Sequence, residues 1–229
     1  MMRAVSLFLP SWATDRLTRT LGASAPSPDT PLALVGREGR KRLIVAVNAA
    51  ARAEGIAPGM AVAKAQALVA GLDVRDADPA GDDAALERLA IWALKRYSPI
   101  VAADPPDGLR LDMAGASHLL GGEEGFVADL AKRLAETGIA ARIAIAPTYG
   151  AAHGFARFGR SSSIIVDPGD LDAQLAPLPI AALRLDTATI DALRRLGVDS
   201  IGELAAMPRA PVTLRFGAEA GRRLDQAYG

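Results

Sequence analysis

The sequence changes character at Leu171. Before it, short apolar runs that suit strands are mixed with amphipathic helical patterns; after it, helical patterns stand alone. Ala4–Leu9, Pro31–Val35, Arg42–Val47, Asp73–Asp78, Val101–Asp104, Leu109–Met113, Ala140–Ala146 and Ile164–Val166 read as strands. Helical spacing predicts helices over 10–21, 49–54, 58–68, 82–97, 125–138 and 147–158. These elements do not follow a regular β-α-β repeat. That predicts an α+β sheet domain, with a subdomain inserted at about 22–74. Residues 36–41 (GREGRK) read as the turn of a hairpin inside that insert. After Leu171, segments 177–183, 187–196, 200–207 and 211–228 predict a small all-helical module.

Composition narrows the function classes. Half of the 229 residues are hydrophobic, enough for a sizeable core. Cysteine is absent, so disulfides and thiolate zinc sites are excluded, which fits a reducing cytoplasm. The apolar N-terminal run is too short for a signal segment, and no stretch reaches the roughly 20 residues that span a bilayer. Lys and Arg number 26, as do Asp and Glu. Duplex binding relies on cations that displace counterions, so this balance argues against strong DNA binding by these residues alone. Residues 194–229 carry six arginines against four acids, a mild local bias.

Several residues invite a chemical reading. Gly197-Val-Asp-Ser-Ile-Gly202 lies between two helical patterns and resembles a helix-hairpin-helix element, with Arg194 and Arg195 just before it. Glycines at such a turn free backbone N–H groups for a DNA phosphate. The alternative is a tight helix–helix turn with a glycine C-cap. Pro105-Pro-Asp-Gly108 is an ordinary turn sequence. His118 and His153 lack ligand spacing and read as structural.

Five blocks, in order, resemble the Y-family (translesion) DNA polymerases. They are residues 4–13 (AVSLFLPSWA), residues 42–52 with 55–60 and 65–68, residues 106–112 (PDGLRLD), residues 143–149 (IAIAPTY), and residues 196–205 with 214–217. The resemblance implies a palm over 1–21 and 75–168, fingers over 22–74 and a thumb over 169–229. It also implies that the little finger and C-terminal tail lie outside these residues.

The departures from that family point to one branch. Active members place an Asp where Phe8 stands and a Glu where Gly108 stands; Asp107 alone keeps its acid. Ala13 takes the place of the aromatic gate against ribose. Ala49 replaces a Tyr and Tyr149 a Lys that contact the triphosphate, and Arg52 alone keeps its residue type. This pattern resembles the ImuB group, which is regarded as non-catalytic and acts in SOS-induced mutagenesis. The resemblance implies no metal or cofactor. Its implied partners are primer–template DNA (weakly for these residues), ImuA, an error-prone C-family polymerase and the sliding clamp. Two alternatives stand beside it. One is an active polymerase using Asp107, Asp104 and Asp112 with Mg²⁺; the other is a helix-hairpin-helix DNA-binding module with no palm.

Overall fold

A computed structural model describes residues 3–39, 41–115 and 121–229. His118 and Arg40 lie outside the described residues. The elements in chain order are β1 (Ala4–Phe8), α1 (Trp12–Leu21), β2 (Leu32–Glu38), β3 (Lys41–Val47), α2 (Ala49–Ala53), α3 (Val62–Leu68), β4 (Asp73–Asp76), α4 (Pro79–Arg96), β5 (Val101–Asp104) and β6 (Gly108–Asp112). They continue with α5 (Gly122–Glu136), β7 (Arg142–Ala146), α6 (Tyr149–Phe158), β8 (Ser163–Ile165), α7 (Leu171–Leu175), α8 (Thr187–Arg194), α9 (Ile201–Ala205), α10 (Arg209–Phe216) and α11 (Ala218–Tyr228).

Strand alternation decides how the layers stack. β1 is central in a five-stranded sheet of order β5-β6-β1-β7-β8, antiparallel to both β6 and β7. Side chains on successive strand residues point to opposite faces. Val5 and Leu7 of β1, with Leu109, Leu111, Ile143 and Ile145 beside them, pack beneath α4 and α5 through Leu86, Ala90, Phe126 and Leu130. Ala4 and Phe8, with Ala144 and Ala146, face α6 and the helical module instead. That second core runs without a break from the sheet through Ala151, Ala152 and Phe155 to Leu175, Ile180, Leu193, Leu204 and Leu224. Residues 32–76 form a separate three-stranded sheet of order β3-β2-β4, with β2 antiparallel to β3 and parallel to β4. Its own core joins Ile44, Val47, Ala51, Ile56 and Ala65.

The α+β class and the helical end agree with the sequence reading, and the differences in boundary have local causes. The helix expected from Pro58 starts only at Val62. The N–H of Gly59 donates to the Ile44 carbonyl at 2.8 Å, and that of Ile44 to the Met60 carbonyl at 2.9 Å, which ties 59–61 to β3 as a short extra rung. The single helix expected over 211–228 is two, broken at Gly217, whose φ of 77° no helix interior adopts. α7 was not expected: five residues are too short to show a period.

The helical module reaches the sheet through α6. A Cβ on Gly150 would stand 2.5 Å from the Gln226 carbonyl oxygen, so glycine sets how closely α11 approaches. Thr148 caps α6 by accepting from the Ala151 N–H and donates its own hydroxyl to the Ala227 carbonyl at 2.8 Å. Gly150→Ala is expected to destabilise the chain by about 1–3 kcal/mol through overpacking, outweighing the gain of up to about 1 kcal/mol in helix propensity. Urea denaturation of the two chains measures it.

Candidate functional site

One corner of the central sheet gathers the polar residues. Phe8, the last residue of β1, pairs with Gly108 at the start of β6. The Asp107 carbonyl accepts from the Leu9 N–H at 2.8 Å, which fixes the β5–β6 turn against the end of β1. The approach is tight: a Cβ on Gly108 would lie 2.7 Å from the Leu7 carbonyl oxygen and 3.3 Å from an Arg157 nitrogen.

Helix α6 runs antiparallel to β7 along the same face, so its last turn arrives at this corner. Arg142 holds that turn, donating to the Ala156 carbonyl at 2.7 Å and to those of Gly159 and Ser161. A cation there also suits the negative end of the helix. Arg157 extends into the corner, with its side chain only 14% exposed. Its Nη2 donates to Asp107 Oδ1 at 2.7 Å and lies 4.0 Å from Asp104 Oδ2. Its guanidinium stands 4.6 Å from the centre of the Phe8 ring, within cation–π range. One helical turn earlier, His153 places Nδ1 3.5 Å from Asp104 Oδ2, too long and off-line for a full hydrogen bond. Arg110 Nε approaches Asp104 Oδ1 at 3.4 Å.

Burial works to raise the Asp104 carboxyl. The His153 imidazole and the charges of Arg110 and Arg157 outweigh it and hold the group below the ordinary carboxylate value. Burial pushes the His153 pKa down, with further help from Arg157 and Arg184, so its ring is neutral near pH 7.

This corner does not suit a pair of divalent ions. Mg²⁺ takes about six oxygens at about 2.0–2.1 Å. Phe8 offers none, and a guanidinium already occupies one Asp107 oxygen. Among the described residues no group of three His, Asp or Glu side chains is placed to hold a metal. Asp112 sits at the far end of β6, opposite Ala4, away from Asp107.

The other expected site residues divide between two cavities. Ala13 and Arg52 line a cavity of about 250 Å³ at the junction of the two sheets, together with Asp82, Asp83 and Asp107. Arg52 is already engaged there, donating to the Pro10 carbonyl at 2.9 Å and more weakly to that of Val47. Ala49 opens α2 and is exposed, outside that lining. Tyr149 opens α6, at the opposite end from Arg157. It lines a larger cleft of about 1120 Å³ between the sheet and the helical module, so the fold does not bring it to Arg52 and Asp107.

Arginines dominate that larger cleft: Arg110, Arg184, Arg209, Arg222 and Arg223, against Asp225. Arg184 has φ 57° and is the one non-glycine residue with positive φ among those described. Burial lowers its pKa, as do Arg223, Arg110 and Arg157, with Asp104 pulling the other way. A backbone in this region costs of order 1–3 kcal/mol and persists where its surroundings enforce it.

The Gly197–Gly202 turn has the alternative geometry. Gly197, at φ 79°, lies just past the end of α8, and its N–H returns to the Arg194 carbonyl. The N–H groups of Asp199 and Ser200 both donate to Glu203 Oε2 at 2.8 Å. Those of Ile201 and Gly202 donate to the Leu178 and Ala176 carbonyls. None of these four is left for a phosphate. Gly202 is a packing residue, since a Cβ would meet Ala176 at 3.0 Å. Arg194 leans 4.0 Å from Asp199, and Arg195 is the C-cap residue of α8.

Arg157 and Arg184 escaped the sequence reading. A faint signal existed for Arg157: it follows His153 by four residues on an otherwise apolar helix, so two polar groups share a face. Arg184 carries no such sign, because its role comes from an unusual backbone and a charged neighbourhood.

This architecture is that of the Y-family DNA polymerases. DinB from Sulfolobus solfataricus superimposes on 99% of the chain with a TM-score of 0.76, over 67% of its own length and at 18% identity. An insertion ternary complex of the Dbh DNA polymerase gives 0.74 at 16% identity, again covering 99% of this chain and 67% of that one. The chain belongs to the impB/mucB/samB family, whose model matches residues 26–155. It is 50% identical to Protein ImuB of Caulobacter vibrioides over 175 residues, 76% of this chain and 38% of that protein. It is 29% identical to DNA polymerase IV 2 of Mesorhizobium japonicum over 188 residues, 80% of this chain and 44% of that one. The chain thus spans well under half of either relative's length.

Asp15 supplies a pH test beside this site. Its carboxyl accepts from the Ala140 N–H at 2.9 Å, while burial pushes its pKa up to about 6 against the pull of that bond and of Arg19 and Arg52. A folded value above the unfolded 3.8 means the folded chain binds more protons between about pH 4 and 6, so stability falls as pH rises through that window. Asp15→Asn keeps an acceptor for Ala140. It is expected to flatten the dependence and add about 1–2 kcal/mol at pH 7, less than full linkage because water reaches the carboxyl. Thermal melts at stepped pH measure it.

Proposed function

We propose that this chain is the polymerase-like body of a non-catalytic scaffold in error-prone translesion synthesis, seated on primer–template DNA. The observation that carries the reading is the corner at Phe8, where a ring, a glycine and an arginine surround Asp107. Two-metal phosphoryl transfer needs carboxylates converging on paired ions, and these side chains supply too few. The small cavity supports the same reading. Its single arginine is engaged by backbone carbonyls among three carboxylates, a poor receptor for a triphosphate. A chain made only of a helix-hairpin-helix module would lack the palm-like sheet on which Phe8 and Gly108 pair.

DNA is proposed to meet the arginine-lined cleft rather than the Gly197–Gly202 turn, because Arg184 lines the cleft outside the ion pairs that hold Arg110, Arg209, Arg222 and Arg223, and the turn has no free N–H. Recruitment of ImuA, a C-family polymerase and the sliding clamp, the SOS setting and the cytoplasmic location are part of the proposal, by likeness to the ImuB group. A flexible tether can raise the effective concentration of such partners without a large rigid interface.

Primer extension with Mg²⁺ or Mn²⁺ tests the catalytic half, and extension above a protein-free control would overturn it. Phe8→Asp with Gly108→Glu is expected to stay inactive. The new Glu side chain must displace the Leu7 carbonyl contact, and the triphosphate still lacks contacts.

Fluorescence anisotropy on primer–template DNA tests the other half. Arg184→Ala should weaken binding on all sequences alike and reduce the salt slope by about one unit, as loss of one phosphate contact does. Arg194→Ala with Arg195→Ala should leave both unchanged. The reverse result would return the contact to the turn.

A further inference from the structure

We infer that the groove between α1 and α4 is a docking site for an acidic segment of a partner protein, one that sets carboxylates around an aliphatic or aromatic side chain. The inference goes beyond the scaffold reading and does not depend on it, since the groove shares no residue with the sheet corner or with the arginine-lined cleft.

Trp12 of α1 and Ala85, Leu86 and Ala90 of α4 share the core beneath the Val5 and Leu7 face of the sheet. The Trp12 indole N–H donates to the Asp82 carbonyl at 3.1 Å. Arg16 pairs with Asp78 at 3.1 Å and with Asp82, which ties the two helices together. Between them lies a groove of about 400 Å³, lined by Trp12, Leu89, Trp92, Arg16, Arg19 and Arg88, with no carboxylate in its lining. Both tryptophans of the sequence are therefore in one place.

The charge here is open to a partner. Arg16 is taken by its two aspartates, whereas Arg19 and Arg88 are exposed and enter no ion pair among the described residues. The Arg19 guanidinium stands over the Trp12 ring, 5.5 Å from its centre, which fixes its place at the groove. Asp15 lies close to Arg19 on α1, but its carboxyl is engaged by the Ala140 N–H. On α4, helical spacing puts Asp83 and Glu87 across the helix from Trp92. The same helix continues from Arg88 to Ile91, 52% exposed, and Lys95, at i+3 and i+7. The rim is thus cationic around an aliphatic side chain. Its complement is a segment with carboxylates around an apolar residue, and guanidinium forks take carboxylates in bidentate pairs.

The rings argue for a peptide over a nucleic-acid strand. Bases stack on open aromatic faces. Trp12 is only 3% exposed with Arg19 over it, and Trp92 packs edge-to-face against Tyr97 at 5.4 Å. Position argues the same way. The core shared by α1 and α4 lies on one face of the sheet, while α6 and the helical module lie on the other. An acidic partner held here leaves the arginine-lined cleft open.

The test is an array of short synthetic peptides, each with several Asp or Glu residues around one Leu, Ile or Phe, and each paired with its Asn or Gln counterpart, probed with the whole labelled chain. Acidic members should bind and their amide counterparts should not. The tightest member, followed in solution by fluorescence anisotropy, should lose about ten-fold in affinity to Arg19→Gln with Arg88→Gln. Ile91→Ser should weaken it as well, and Arg194→Gln with Arg195→Gln, the same charge change elsewhere, should leave it unaltered. Bound peptide should also shift the tryptophan emission of the wild type. Arg19 and Arg88 hold no ion pair, so their double variant should melt as the wild type does; if it does not, Arg88→Gln with Lys95→Gln replaces it.

Three results would overturn the inference: no acidic peptide that favours the wild type over the double variant, amide counterparts that bind as well as the acidic ones, or a single-stranded oligonucleotide that binds more tightly than any peptide and loses its affinity in the double variant. Primer extension and binding at Arg184, which judge the scaffold reading, are read separately from all three.

Discussion

Helix α6 is the element on which the rest depends. It lies between the central sheet and the helical module, and small residues line it at several of the closest approaches. Ala151, Ala152 and Ala156 sit in the shared core. Gly150 lets α11 approach, and Gly154 faces Ala182 at a distance where a Cβ would touch at 3.3 Å. Close-packed interiors transmit small volume changes, so the spacing of these layers is set here. The same helix ends in Arg157 and begins at Thr148, which joins the sheet corner and the wall of the cleft in one rigid piece.

Both ends of this helix gather ion-paired arginines, with a single half-buried arginine left over in the cleft. At the corner, anions and cations nearly cancel, with Asp104 and Asp107 set against Arg157 and Arg110. In the cleft, Arg209 pairs with Asp225, Arg222 and Arg223 share Glu219, and Arg184 stands outside these pairs. Net charge alone says nothing of where the cations lie, and the cleft gathers five of them. Electrostatic focusing in a cleft depends on which charges line it.

Much of the fold was legible because its signals are local. Alternation in β1, β6 and β7 marked the sheet, and the loss of strand patterns after Leu171 marked the helical end. What escaped was set by contacts distant in sequence. Residues 58–61 look helical until β3 draws their backbone into a rung. The Gly197–Gly202 spacing fits a phosphate turn until Glu203, Leu178 and Ala176 are seen to take its N–H groups. At the site, the unusual residues Phe8, Gly108 and Asp107 could be picked out from the sequence. Arg157, 50 residues beyond Asp107, could not. Tyr149 lies near the right segment in sequence, but a helix places its two ends at different cavities.

The crowding of like charges around Arg184 has a consequence for the economy of the whole chain. Its guanidinium is half-buried beside Arg223, Arg110 and Arg157, on a backbone few side chains adopt. The folded state without an anion therefore carries an internal repulsion that the unfolded chain does not. A ligand that binds only the folded form adds to stability by mass action, and a polyanion relieves that repulsion as well. Under the proposed DNA binding, folding and occupancy are linked: a chain seated on a nucleic-acid strand would be sturdier than one off it, and a released copy is the one that proteases would find first.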